Sequence, residues 1–458
     1  MPDLIIQPQA QDLPQATSVI PPVPKRKFPK VVLFIAPLIL LVLAAAWIFF
    51  KNSANKTPSG GEITWWSLWE DQAVVAPLIT EYEQKNPKVK IKYVEQSKQD
   101  YRERLTNALA KGTGPDIFTF HNSWVPMFKN DLDRLPANIM SASDFFQTFY
   151  PTVSTDLTSE SGIVGIPLGY DALTLYINND IFAASGKTPP ETWDDLRSLA
   201  IELTKKDDQG NIIQSGVALG RTENVDHWQE ILALMMLQNG VDLGSPTGKL
   251  ASDALTFFTL FSSSDGVWDA TLPNSTAFFA GGKLAMYFAP SWRTMEIVQM
   301  NPALNFRTVP IPQLPQNSSG RKSVSYASYW VQGVWAKSKN KEVAWNFLNY
   351  ISAKEALSKI YANAAGIRRF GEPYPRIDMA GLLKEHPILG SIISLAPSAR
   401  SWYLQSRTFD GPTGINSLIG KYFEDAVNAV NSGSPADKVL PTVAQGVSQV
   451  LRQYGLVK

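Results

Sequence analysis

The longest unbroken apolar stretch of the chain is residues 31 to 50, VVLFIAPLILLVLAAAWIFF, twenty positions without a charge. A helix of that length, at ~1.5 Å per residue, spans roughly the 30 Å hydrocarbon core of a bilayer, and a soluble core helix is rarely apolar all round. The pattern predicts one transmembrane helix at 31–50, with Pro37 near its start, where membrane helices tolerate proline. Lys25, Arg26, Lys27 and Lys30 precede the run and only Lys51 and Lys56 follow it closely, so the positive-inside bias places the N-terminus in the cytoplasm and the rest of the chain outside. The rival reading is a cleaved signal peptide, but its apolar region usually runs only ~7 to 15 residues, and a long segment precedes the basic cluster here. Residues 1–30 read as a disordered cytoplasmic tail, with six prolines in the first 24 positions and no apolar period. Residues 51–61, KNSANKTPSGG, read as a flexible linker of about 18 Å reach.

From residue 62 the periods change. EITWWSLW (62–69) predicts a buried strand, VVAPLITEYEQKNP (74–87) a helix stopped at proline, and VKIKYVEQ (89–96) a strand by alternation. YRERLTNALAKGTG (101–114) predicts an amphipathic helix and DIFTF (116–120) another strand. GIPLGYDALTLYINNDIF (165–182) continues the pattern, and within TPPETWDDLRSLAIEL (188–203) Thr192 is placed to cap a helix opened by Trp193 and two acidic residues. AFFAGGKLAMYFAPSW (277–292) predicts a helix, a glycine stop and a strand; WVQGVWAKS (330–338) a strand; and 342–360 one amphipathic helix. Strands alternating with helices imply a parallel sheet with right-handed crossovers, in which ligands bind beyond the carboxyl ends of the strands. That rule points to 67–70 and 121–124.

Composition narrows the chemistry. Lys+Arg at 42 against Asp+Glu at 41 gives no basic excess for nucleic acid. Cysteine is absent, which removes disulfides, thiolate nucleophiles, Cys metal sites and an acylated N-terminal Cys anchor. The three histidines, at 121, 227 and 386, are too scattered to propose a metal site. The chain carries no HExxH, nucleophile elbow or Walker A loop; GSPTGKL at 244–250 imitates the last but is a residue short and lacks Ser or Thr after Lys249. No cofactor is expected. The 13 Trp and 15 Tyr suit a site that stacks flat rings on a ligand, although most aromatics are core.

Several segments, in their order, resemble the family 1 extracellular solute-binding proteins, the maltose-binding-like group: the Gly-Pro-Asp-Ile turn at 114–117, IPLGYDALTLYINNDIF, PPETWDDL, FFAGGKLAMYFAPSW, VPIPQLP at 309–315, and Ser-Lys-Asn-Lys at 338–341 before an Ala-Trp-x-Phe-Leu helix. The resemblance covers most of 62–458. It implies an α/β, two-lobed periplasmic-binding-protein-like fold of type II with a hinge, closing on a carbohydrate that is delivered to the permease subunits of an ABC importer. By that pattern lobe 1 holds 62–168 and 332–375, and lobe 2 holds 171–328 and 377–458, with crossings near 167–171, 328–331 and 372–376. A monomer is expected, anchored in the lipid bilayer through 31–50.

A sugar offers C–H faces that stack on rings and hydroxyls that need paired donors and acceptors, so its site needs aromatic plates and planar polar groups together. The resemblance places contacts after the first strand, at Ser67, Trp69 and Glu70, and in the loop after the third, at Phe120, Asn122, Ser123 and Trp124. One of Trp65 and Trp66 is core. Asp116 reads as a turn cap. Tyr170 and Asp171 lie at the first crossing, where a carboxylate can accept ligand hydroxyls, with a hinge role as the plainer reading. The resemblance carries a stacking Trp onto Trp292. Tyr329 and Trp330 at the second crossing either meet the ligand or pack between lobes; Trp228, beside His227, faces the cleft or caps a helix; Trp402 and Tyr403 are alike in this. Arg368 and Arg369 order a loop or face the cleft. Two other classes stay open: a cell-surface polysaccharide-binding adhesion protein, and a glycoside-acting enzyme, which needs two carboxyls about 5 to 10 Å apart.

Overall fold

The computed structural model describes residues 60–315 and 323–457. The tail and the apolar run expected at 1–50, and the linker up to residue 59, lie outside the described residues. Among the described residues no helix is long and apolar enough to cross a membrane.

Two five-stranded sheets organise the chain. The first runs Val89–Glu95, Gly61–Ser67, Ile117–His121, Trp330–Val334, Ile166–Pro167. Its first three strands are parallel, as the alternation with helices implies. Trp330–Val334 then pairs antiparallel with both of its neighbours, so the sheet is mixed rather than parallel throughout. The reason is topological: a strand returning from the other half of the molecule enters the sheet from the opposite end. The helix Gln72–Lys85 starts at Asp71, whose carboxylate accepts from the Ala73 amide at 2.7 Å. Tyr101–Ala110 buries Tyr101, Leu105 and Leu109, one face at a four-residue spacing.

The second sheet runs Phe306–Val309, Thr174–Asn178, Leu284–Ala289, Ile212–Val217, Lys205–Lys206. Leu284–Ala289 is parallel to Ile212–Val217 and antiparallel to Thr174–Asn178. All six of its residues are buried, which is why it reads as an unbroken apolar run and not as an alternation. Trp193–Leu203 opens on a reciprocal capping box between Thr192 and Asp195. The run expected as one helix over 342–360 forms two, Lys341–Ile351 and Lys354–Ala365, parted where Ala353 turns extended.

Each sheet has its own apolar core. The first draws on Ile63 to Ala172 and Ala327 to Ala399, and includes Trp65, Trp124, Trp345 and the segment Met379–Ala399. The second draws on Leu173 to Tyr326 and Leu404 to Leu451, and includes Trp193, Trp268 and the face of the Ile415–Asn431 helix that carries Ile419 and Phe423. The chain therefore passes between cores at Ala172–Leu173, Tyr326–Ala327 and Ala399–Leu404, a two-lobed α/β architecture. The candidate residues gather around these passages.

Candidate functional site

Strand register brings the first aromatic group together. Trp330 stands opposite His121, so the start of one strand and the end of another share the sheet edge that also carries the end of Gly61–Ser67. The Trp330 ring consequently lies 5.5 Å from that of Trp124, 5.1 Å from His121 and 5.4 Å from Trp69. Trp124 is fully buried, Trp330 is half-buried, and Trp69 is 44% exposed. Trp69 holds its ring there with a backbone φ of 75°, a left-handed conformation unusual for a bulky side chain. Its ring also meets Phe409, 5.7 Å away, and Lys98 sits over both rings. Neither Phe409 nor Lys98 carries a sequence signal.

Beside Trp69, the Glu70 carboxylate accepts from the Arg368 guanidinium at 2.6 Å, and Glu372 lies 3.4 Å from the same nitrogen. The surrounding protein raises the Glu372 carboxyl above its usual range, with the negative Glu70 and Asp171 adding to the rise and Arg368 opposing it. Arg368, left open by sequence, thus serves two carboxylates.

The second group stands at the end of Leu284–Ala289. Pro290 and Ser291 lead out of the strand to Trp292, which is 37% exposed. Its ring is held from behind: the Arg293 guanidinium lies 4.5 Å from the ring centre and His227 meets it edge-on at 5.5 Å. Arg293, itself 3% exposed, donates to His227 Nε2 at 2.9 Å and to Asp226 at 3.2 Å. Because Nε2 accepts, the ring is neutral with its proton on Nδ1, facing the Ser406 hydroxyl at 3.1 Å. Burial lowers the His227 pKa in the same sense. Ser406 in turn donates from its amide and hydroxyl to Glu230, and Arg407 reaches Asp226. The loop after Leu404 is thereby tied to the support of Trp292.

Other candidates are buried and already bonded. Asp171, 4% exposed, accepts from the Ala172 amide and from both the amide and the hydroxyl of Ser291. Asn122 and Tyr329 both donate to Asp156 Oδ2, at 2.9 and 2.7 Å, and Ser401 donates to its other oxygen. Ser123 donates to Asn416 of the Ile415–Asn431 helix at 2.9 Å. Ser67 is 2% exposed, and Phe120 and Tyr170 are fully buried, with the Tyr170 ring packed at tilted angles against Tyr150 and Tyr329. Trp228, 6% exposed, opens the Trp228–Gln238 helix, and Trp402 is half-buried against the second core. Trp65 is the core member of its pair, its N–H bonded to Gln332, whereas Asp116, expected as a turn cap, ties its turn to distant segments, its carboxylate accepting from the Thr64 amide of the Gly61–Ser67 strand and from the Ser338 hydroxyl. Sequence reasoning missed Asp156, whose three partners come from distant segments. His121 stays neutral, since burial lowers its pKa to about 3. Among the described residues no cluster of three or more His, Asp or Glu could hold a metal ion.

Comparison with known proteins fits this architecture. A binding protein of Brucella abortus strain 2308 is 24% identical over 272 residues, 57% of this chain and 64% of the relative. The chain thus spans just under two thirds of the length of that curated relative. Among solved structures, the sugar-binding protein MalE of Xanthomonas citri superposes with a TM-score of 0.69 at 17% identity, covering 86% of this chain and 98% of that one. An ABC transporter solute-binding protein of Thermotoga lettingae TMO, bound with α-D-tagatose, superposes with a TM-score of 0.64 at 20% identity, covering 86% and 100%. These likenesses show the two-lobed fold. Residues 66–357, more than half of the chain, match the model of the bacterial extracellular solute-binding proteins, and the chain belongs to that family.

Proposed function

We propose that this protein captures a carbohydrate between its two halves, outside the cell, and hands it to the permease subunits of an ABC importer. The observation that carries the reading is the pair of partly exposed tryptophans, Trp69 and Trp292, each at the end of a strand in a different sheet and each braced from behind by fixed aromatic and charged groups. Such plates suit the C–H face of a sugar ring, and the Glu70–Arg368 pair beside Trp69 suits its hydroxyls. Solved relatives of this fold bound with tagatose, maltotetraose or mannotriose support the ligand class.

In this reading the contacts come from Trp69, Glu70, Trp330 and Trp292. The buried candidates Ser67, Phe120, Asn122, Ser123, Trp124, Tyr170, Asp171 and Tyr329 shape the passages between the halves. Trp228 and Trp402 border the second half's surface. Binding, without a chemical step, shifts an equilibrium between open and closed halves that a membrane partner reads. The protein acts as a monomer of two lobes, divided at the passages Ala172–Leu173, Tyr326–Ala327 and Ala399–Leu404 and not near 372–376, and is held to the membrane through residues 31–50. A heat-shift screen against neutral mono- and oligosaccharides tests the reading. Stabilisation by at least one sugar, absent in Trp292→Ala, is expected; stabilisation only by a polyamine or metal chelate would sink it.

A further inference from the structure

One short helix touches every passage between the halves. Pro151–Leu157 belongs to the first half, with Val153 and Leu157 in its core. The Tyr150 ring just before it meets Tyr170 of the first passage at 5.0 Å, and Tyr170 meets Tyr329 of the second at 5.5 Å. Thr152 donates its hydroxyl to the Ala399 carbonyl at the start of the third.

The passages are in turn laced to one another. Ala172 bridges to Ala327, and the Asp171 carbonyl accepts from the Ser328 amide, which joins the first to the second. Ser325–Tyr326 pairs in parallel with Ala399–Arg400, which joins the second to the third. Backbone pairing makes the three segments one ribbon, so a hinge motion carries them together.

Asp156 grips that ribbon at two points. Its Oδ2 accepts from Tyr329 and from Asn122, and its Oδ1 accepts from the Ser401 hydroxyl. An ionised carboxylate takes all three donors, whereas a carboxylic acid puts a proton where one of them points. Asn122 and Tyr329 lie in segments of the first half, but Ser401 lies in the segment that leaves it for the second. The bond to Ser401 is therefore the one that hinge motion strains. It is made here in an arrangement in which the halves touch, since Arg102 of the first donates to Thr413 of the second at 2.7 Å and Ser123 to Asn416 at 2.9 Å.

Only Asp156 can change charge at this point near neutral pH. The titratable groups that face it are Tyr170, Tyr326, Tyr329 and Tyr403, all kept neutral by burial, with the Asp156 charge adding to the effect. None of its three bonded partners is charged, and Arg400, next to Ser401 in the chain, is exposed.

We infer that Asp156 is a positioning residue for ligand capture: its ionised carboxylate, through Ser401 and Tyr329, holds the laced passages in the arrangement that brings the halves together, and a proton on it lets them part. Opening takes the Ser401 donor away and so favours the proton, while the packing of Tyr170 and Tyr329 inside the first half stays. With the carboxyl raised to about 6, closure is lost as pH falls through that value. The effect on affinity rests on the carbohydrate reading above, and the effect on closure does not.

The chain has no cysteine, so spin labels on Asn107→Cys in the first half and Asp253→Cys in the second, both exposed, report the separation of the halves in the full-length protein in detergent. Acidifying wild type from pH 7.5 to pH 5 is expected to lengthen that distance. Asp156→Asn, whose amide meets those donors with a donor of its own, should show the longer distance at both pH values. Ser401→Ala should lengthen it at pH 7.5, and Ser401→Thr, which keeps the hydroxyl, should restore it. In calorimetric titrations with maltotetraose, mannotriose and D-tagatose, affinity for a sugar that binds should fall at least fivefold on the same acidification, and equally in Asp156→Asn at pH 7.5. Asp171 and Glu372 are raised too and remain in that variant, so only the pH dependence lost with Asp156 counts. If Asp156→Asn fails to fold, Ser401→Ala and Ser401→Thr carry the test. Distances unmoved by acidification, or by both Asp156→Asn and Ser401→Ala, would overturn the positioning role and leave the carbohydrate reading intact. Distances that respond as expected, with no sugar bound at any pH, would overturn that reading alone.

Discussion

The carboxylate of Asp171, at the first passage between the halves, accepts from the Ser291 amide at 3.1 Å and from its hydroxyl at 2.8 Å. Ser291 immediately precedes Trp292, so the passage and the exposed plate are fastened together at one buried point.

Replacing Asp171 with alanine leaves the amides of Ala172 and Ser291 and a hydroxyl without their acceptor in a nearly dry site. Orphaned buried donors are expensive, and a loss of about 3 kcal/mol in unfolding free energy is expected, read by urea denaturation. Ligand affinity should fall as well, because Trp292 loses its tether. Full stability in the variant would show that the Asp171 bonds count for nothing.

Trp292→Ala separates binding from folding. Its ring is over a third exposed and rests on Arg293 and His227, so truncation should lower stability little. If it covers the face of a sugar, affinity drops by ~1.5–3 kcal/mol, roughly 10- to 150-fold in Kd by calorimetry. An unchanged Kd would move the principal site elsewhere.

Much of this arrangement was legible in the chain. Period-two and period-3.6 patterns locate the first three strands and their helices; the rule that ligands sit beyond strand ends points to Trp69 and the family resemblance to Trp292, and both rings stand partly exposed just past a strand. The antiparallel return of Trp330–Val334 was not legible, since a local pattern carries no strand direction. Nor was the contact of Trp69 with Phe409, which joins distant segments and has only the turn at Asp410–Gly411 near it as a signal. Burial explains the remainder: Asn122, Tyr329 and Asp171 have the polar groups a sugar needs, but sequence does not tell whether such groups face a ligand or one another.

Asp156 gives a pH signature. Burial raises its carboxyl to about 6, although Ser401, Tyr329 and Asn122 all donate to it. The folded state thus holds this proton more tightly than the unfolded chain, whose carboxyl titrates near 3.8. Stability from this group is fully present below that value and is lost as pH rises through about 6. Carboxylates held low, such as Glu81 and Asp226, slope the opposite way, and others that are raised, such as Asp171 and Glu372, slope the same way, so the informative quantity is wild type minus Asp156→Asn. That difference should move against wild type by about 1–2 kcal/mol between pH 4 and pH 7 in urea titrations. A flat difference would mean that Asp156 is ionised at no cost.

The apolar run at 31–50 makes a prediction that does not depend on the ligand. If the proposed anchor is the apolar run, whose length suits a bilayer span, a protein lacking residues 1–61 should leave the membrane fraction for the soluble one while keeping its ligand affinity. Fractionation and a binding curve on the same preparation decide it. Retention of the shortened chain in the membrane would place the anchor elsewhere.

Trp69 offers a test of backbone and function together. Its left-handed conformation costs an L-residue about 1–2 kcal/mol and glycine almost nothing. Trp69→Ala and Trp69→Gly remove the same ring, with its contacts to Trp330, Phe409 and Lys98, but only the alanine variant keeps the strain. Glycine should therefore be the more stable of the two by about 1 kcal/mol, the reverse of the order at ordinary positions. Both should bind the sugar equally weakly, since the plate is gone in each. If the alanine variant melts higher, the backbone at residue 69 is free to relax, and the ring is held in place by its aromatic neighbours alone.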